Sequence, residues 1–313
     1  MLKNHKVRKV LVALLKILLT AVVIYFVVRA LADNWSQVVA YKWSINWALL
    51  LASVAMHLIT FAAFAAVWCL LMRGFGHGSI PFRHGFKIAY IANLGRYIPG
   101  RIWPVFGMVY VAKKLEITEE TAVASWGVAQ LFSVPPSFVV GLAVIYWYPE
   151  MVSDHLSKLM GQGLNIFAAA TLLISILLIA IPDKLLIVVN WALNKFKRPA
   201  IHFKMSFGLA LGVYLGYLIC WLCYGFAFWL FINAIVDHPG IPILSCVGSF
   251  VISYQIGYFA IFAPAGIGAR ELVMIGTLNP YLGAASAGVS IAARVWNTTS
   301  DIIASIIALR VKL

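Results

Sequence analysis

Asn93-Leu94-Gly95-Arg96-Tyr97-Ile98-Pro99-Gly100-Arg101-Ile102-Trp103-Pro104 and, far downstream, Phe262-Ala263-Pro264-Ala265-Gly266-Ile267-Gly268-Ala269-Arg270-Glu271 decide how this chain is read. Each sets helix-breaking Pro and Gly beside arginine within a strongly apolar neighbourhood. In water such a stretch would be a loop. In a bilayer it is costly, because freed backbone groups and charges must find partners where no bulk water exists. A pair of interrupted hydrophobic segments in corresponding halves points to the central site of a transporter.

Composition places the rest of the chain in a membrane. Of 313 residues, 63% are hydrophobic and 11% charged, and the mean hydropathy is +0.94. A spanning helix needs about 20 mostly apolar residues. Val10–Ala32, Trp47–Met72, Thr121–Trp147, Gly163–Ile181, Phe207–Val236 and Gly283–Leu309 all qualify. The connections are too short for a separate soluble domain, so residues 1–313 form a single membrane domain. Lys3, Lys6, Arg8, Lys9 and the Ala30-Leu31-Ala32 triplet resemble a cleaved signal peptide. The apolar run is longer than the usual ~7–15 residues of such a segment, which favours a retained first helix.

Charge placement orients the spans. Cations cluster at Lys3–Lys9, Arg73–Lys87, Lys113/Lys114, Lys184–Lys204 and Arg310/Lys312, whereas Asp33–Trp43, Pro149–Lys158 and Asp237–Pro242 are poor in them. Cation-rich connections belong on the cytoplasmic side. Segment 82–112 then starts and ends inside, and segment 244–279 starts and ends outside. The expected fold class is an all-α integral membrane protein with six transmembrane helices and two opposed re-entrant helical hairpins. Residues 1–150 and 151–313 form an inverted-topology repeat, the plan that places substrate near the midplane. Both termini are cytoplasmic and the location is the cytoplasmic (inner) membrane. A kink in a continuous helix would also explain each Pro-Gly stretch. Between Asp183 and Lys204, Leu185, Leu186, Val188, Val189, Ala192, Leu193 and Phe196 are apolar and Lys184, Lys195, Lys197, Arg198 and Lys204 basic, with Trp191 suited to the headgroup level. That pattern suits an amphipathic helix on the anionic inner leaflet, or a simple positive-inside anchor.

The Gly-Arg-Tyr-Ile-Pro-Gly-Arg-Ile-Trp run at 95–103 and the Pro-Ala-Gly-Ile-Gly-Ala-Arg-Glu run at 264–271 resemble the two signatures of the lysylphosphatidylglycerol synthase transmembrane family, also called the flippase-like domain family. The similarity in layout covers nearly the whole chain. The resemblance implies a lipid flippase; in fused members this domain precedes a soluble aminoacyl-transfer domain. No such domain is expected in this sequence, so lysyl transfer is not carried over. Free-standing relatives are associated with lipid-linked glycan and envelope pathways.

Arg96, Arg101, Arg270, Glu271, Arg294 and Asp301 all fall at expected membrane depth. The cations outnumber the anions, and buried arginine without a partner is expensive, so an anion should complete the set. The guanidinium fork suits phosphate. The candidate ligand is therefore an anionic phospholipid or a polyprenyl-phosphate-linked lipid. Gly95, Gly100, Gly266 and Gly268 would let backbone amides approach it, and helix N-termini after Pro99 and Pro264 would face it. Asn93 and Gln255 could hydrogen-bond the headgroup or tie helices together, and Tyr97 and Trp103 could flank it or belong to an interfacial belt. Arg270 and Glu271 are adjacent and point about 100° apart on a helix. Arg294 and Asp301 share a helical face and could instead be interhelical ties. His57, alone in its helix, reads as a helix–helix hydrogen bond or a proton relay. Thr118, followed by Glu119 and Glu120, reads as a helix start.

Other chemistry finds little footing. Cys220-Trp-Leu-Cys223 has redox spacing but lies within an apolar span, without further ligands to suggest a metal. No nucleotide loop or catalytic triad presents itself, so no cofactor is expected. The +14 charge follows the inner leaflet and is not a nucleic-acid signal. The leading expectation is a transporter, not an enzyme. The alternatives are an integral-membrane lipid-phosphate transferase, for which Glu271 and Asp301 are few and dispersed acids, or a scaffold for envelope-biosynthesis enzymes.

Overall fold

The computed structural model describes residues 43–76, 80–97, 103–152, 154–184, 199–260, 263 and 266–312, with 187, 190, 191, 194, 195 and 197 between them. The expected helix Val10–Ala32, the Lys3–Lys9 cluster, Gly100 and Arg101 lie outside the described residues, as do the side chains of Arg96 and Tyr97. The expected amphipathic stretch near Trp191 lies partly outside them.

Among the described residues the regular structure is helical, apart from one backbone bridge between Trp43 and Val236. The α-helices are α1 (Trp47–Met72), α2 (Phe82–Asn93), α3 (Trp103–Lys113), α4 (Glu119–Trp147), α5 (Asp154–Ala180), α6 (Phe207–Ile235), α7 (Ile243–Phe259), α8 (Ala269–Leu282) and α9 (Ala285–Arg310). Short polar side chains start the long ones. Asn46 Oδ1 accepts from Leu49 N at 3.1 Å, Thr118 Oγ1 from Thr121 N at 3.3 Å and Ser206 Oγ from Leu209 N at 3.3 Å. Each satisfies an amide that has no partner within its own helix.

Trp47–Phe75, Glu119–Trp147, Gly161–Ala180 and Phe207–Ile235 are each long and apolar enough to cross a bilayer. The protein is thus a multi-pass membrane protein. Leu172, Ile174 and Ile176 on α5 stay exposed, as expected of a helix whose neighbour is lipid. The 26-residue α9 is about 39 Å long, enough to span, but its inner face carries Ser286, Ser290, Asn297, Ser300 and Asp301. Its outer face, with Val295, Ile302, Ile306 and Leu309, is apolar and exposed.

The two Pro-Gly stretches mark real helix breaks. Before each break a helix packs against the one after it, α2 on α3 and α7 on α8. With 12, 11, 17 and 14 residues, these arms measure about 17–26 Å, less than the ~30 Å hydrocarbon thickness. Glycine closes both turns. A Cβ on Gly95 would lie 2.5 Å from the Trp103 carbonyl carbon at the start of α3. Gly266 (φ +69°) rests on Gly257, where a Cβ would meet the Gly257 oxygen at 2.6 Å.

Contacts sort the connections into two ends. At one end Ser44 N donates to Ile235 O (3.3 Å) and Asn46 N to Ala234 O (2.8 Å). Also at this end, Ser245 Oγ meets Tyr281 Oη (2.9 Å), which donates to Glu150 Oε1 (2.8 Å). At the other end Lys204 N donates to Gly74 O (2.8 Å), Met205 N to Asp183 Oδ1 (2.8 Å) and Lys87 Nζ to Val311 O. Lys113 and Glu119 form an ion pair there as well. The α2–α3 hairpin therefore has its base at the second end and the α7–α8 hairpin at the first.

Around these hairpins the packing repeats. The most extensive helix contact is α1 on α6. The helix following each hairpin lies against the first arm of the other one, α4 on α7 and α9 on α2. Two hydrophobic cores result. One joins α1, α6, α7 and α9 around Phe228 and Phe250. The other joins α1, α2, α3, α4 and α6 around Phe132 and Ile88.

Candidate functional site

Arms of both hairpins join α1, α4, α6 and α9 around a cavity of about 360 Å³, within the range of small-molecule sites. One wall comes from α6. Tyr214, Tyr217, Trp221, Tyr224, Phe228 and Phe231 recur every three or four residues and are all buried; Tyr217, Trp221 and Tyr224 face the cavity. From α1 come Phe61, Phe64 and Trp68, from α2 Asn93, from α4 Gln130 and Ser133, from α7 Tyr254 and Gln255, and from α8 and α9 Arg270, Arg294, Asn297 and Thr298.

The second break positions the charges. Gly268 (φ +87°) caps α8, and its N–H donates to Glu271 Oε2 at 2.6 Å. This fixes Glu271 one turn into the helix. Its other oxygen accepts from Arg294 Nη1 at 2.9 Å, a pair largely shielded from solvent at 21% and 9% side-chain exposure. Arg270, one residue earlier, points elsewhere, as the helical turn requires. Its guanidinium carbon lies 4.8 Å from the Phe250 ring centre and 5.1 Å from that of Tyr254, a cation–π seat. Arg270 is only 7% exposed, and its Nη2 has no hydrogen-bond partner among the described residues.

A second network joins the two halves. Asp301 Oδ1 accepts from Asn93 Nδ2 (3.1 Å) and Oδ2 from Asn297 Nδ2 (3.2 Å). Asn297 Oδ1 in turn accepts from Tyr224 Oη (2.8 Å). His57 sits beside this chain with ring centres of Trp296, Phe61 and Tyr224 at 4.3, 4.4 and 4.6 Å.

The sequence-predicted residues thus divide. Asn93, Arg270 and Arg294 line the cavity, and so does Gln255. Glu271 and Asp301 stand behind the lining, each oxygen engaged by a protein donor. Arg294 pairs with Glu271 and not with Asp301, although both lie on α9; the hairpin brings its acid closer. Gly266 and Gly268 shape the turn, and the Gly268 amide is committed to Glu271. Gly100 and Arg101, with the Arg96 and Tyr97 side chains, fall outside the described residues. The aromatic stripe of α6, Trp68 and Asn297 were missed as site residues. The three-four spacing from Tyr214 to Phe231 was the available signal.

A multi-pass helical membrane protein with an arginine-bearing cavity between two broken-helix hairpins is the class that fold and site define. The chain belongs to the family described as the lysylphosphatidylglycerol synthase TM region, which it matches over residues 13–307, both hairpins included. No curated protein matches it.

Proposed function

We propose that this protein moves an anionic phospholipid, or a polyprenyl-phosphate-linked lipid, between the leaflets of the cytoplasmic membrane. The phosphate rests on Arg270 and Arg294 while the tails remain in the bilayer. The observation that carries this reading is the Arg270 guanidinium, buried on two aromatic faces in the central cavity with an unpartnered Nη2. A buried cation without a carboxylate is costly, and a phosphate oxygen supplies both charge and hydrogen bond. Here the ligand completes the electrostatics and the chain need perform no bond chemistry. The reading is transport rather than catalysis.

Several features support alternating access through opposed re-entrant hairpins. The arms are too short to span, and their bases lie at opposite ends of the bundle. Arg73, Lys87, Lys113, Lys204 and Arg310 gather at one end, which the positive-inside rule assigns to the cytoplasm. The exchange of contacts between halves fits residues 1–150 and 151–313 as an inverted repeat, with six spans once Val10–Ala32 and α9 are counted. Such repeats rock about a fixed midplane site.

The test is reconstitution. Vesicles holding only this protein and a tail-labelled phosphatidylglycerol are expected to show protein-dependent exchange between leaflets. R270Q is expected to lower the rate at least about tenfold, the scale of one charge-assisted hydrogen bond. An R270Q protein that folds and moves lipid at the parent rate would refute the site assignment.

A further inference from the structure

Arg270 Nη2 is not the sole unmet group in the cavity. Trp68 Nε1, a donor, and Gln255 Oε1, an acceptor, are also buried without hydrogen-bond partners among the described residues. Both residues line the same cavity, at 6% and 2% exposure. Polar groups left unmatched at this depth are expensive, and a native site that holds several is shaped for a ligand that matches them. A phosphate oxygen can satisfy Arg270 and Trp68, but a phosphodiester carries no proton for Gln255. A hydroxyl group can accept from Trp68 and donate to Gln255.

The charge pattern narrows the headgroup further. Among the described residues, Glu271 and Asp301 are the acids that lie away from the two ends of the bundle. Glu271 is engaged by Gly268 and Arg294, and Asp301 by Asn93 and Asn297. An ammonium group entering beside Arg270 and Arg294 would find no carboxylate free of a protein donor among the described residues.

From this complementarity, and resting on the transport reading above, we infer that the headgroup is an uncharged polyol, a glycerol or a sugar, joined through phosphate, and not an aminoacylated or amine-bearing one. The phosphate lies at Arg270, and the hydroxyls bridge Trp68 Nε1 and Gln255 Oε1.

Reconstituted full-length protein tests this with four tail-labelled lipids: phosphatidylglycerol, polyprenyl phosphoglucose, phosphatidylmethanol and lysylphosphatidylglycerol. Phosphatidylmethanol keeps the phosphodiester charge without any hydroxyl. At least one of the first two is expected to exchange about tenfold faster than either of the others, the scale of a buried hydrogen bond. Whichever is faster identifies the source of the polyol. Gln255→Leu and Trp68→Phe are expected to bring that ratio toward one. Gln255→Glu adds the missing carboxylate and is expected to raise lysylphosphatidylglycerol relative to phosphatidylglycerol, a gain that misfolding does not produce. Equal rates for all four lipids, or lysylphosphatidylglycerol moving fastest in the parent, overturn the inference and leave transport standing. Exchange of none of the four overturns both.

Discussion

At the scale of single residues, the decisive contrast is between Arg270 and Arg294, two cations at similar depth. Arg294 is matched by Glu271 at 2.9 Å, whereas Arg270 is seated on rings. The first is a structural pair that also lines the cavity; the second keeps an Nη2 without a partner among the described residues, which the proposed phosphate would meet. Removing one partner of a buried pair strands the other charge, at a cost of about 3–5 kcal/mol. E271Q should therefore destabilise the protein by about 3 kcal/mol in thermal or denaturant unfolding in detergent. The double variant E271Q/R294Q should recover most of that loss. R270Q should be neutral or stabilising in the same assay while impairing transport, because it removes an uncompensated buried charge. The divergence of Arg270 from Glu271 was legible in the sequence, since neighbours on a helix point about 100° apart. The Glu271–Arg294 pair was not, because nothing local links residues on two different helices.

Hairpins are the elements that set this site. Their Pro-Gly breaks could be read from residue types alone, since each combines a missing N–H with residues of low helix propensity. The way the arms close could not. Gly266 adopts a positive φ and touches the Gly257 backbone, so a methyl group there must either strain the turn or push the arms apart. G266A is expected to cost about 1–3 kcal/mol of stability and to abolish lipid exchange, as α8 carries Arg270 away from Phe250 and Tyr254. Gly276, in the same helix, has open space around its Cβ position. G276A should be stabilising by up to about 1 kcal/mol and should leave exchange intact. Equal thermal shifts for the two variants would contradict this account of the turn.

For the whole molecule, orientation is the quantity to test. Glu150, Asp237 and Tyr281 belong to one end of the bundle, and Lys87, Lys204 and Lys312 to the other. With the native cysteines replaced, Asp237→Cys in intact cells should react with an impermeant maleimide, and Lys204→Cys only after the membrane is opened. The reverse pattern would invert the topology and the sidedness of both hairpins.

Hydropathy and two Pro-Gly interruptions by themselves determined that this chain is a helical membrane protein with broken apolar segments. Those properties are local: they depend on how many apolar residues run together and on which residues cannot continue a helix. Only the tertiary structure decided which charges are already matched, where the aromatic stripe of α6 faces, and which donors and acceptors remain open around one cavity. Those are relations between segments far apart in sequence, fixed by packing across α1, α6 and the two hairpins. A single strand of sequence carries no record of distance between them.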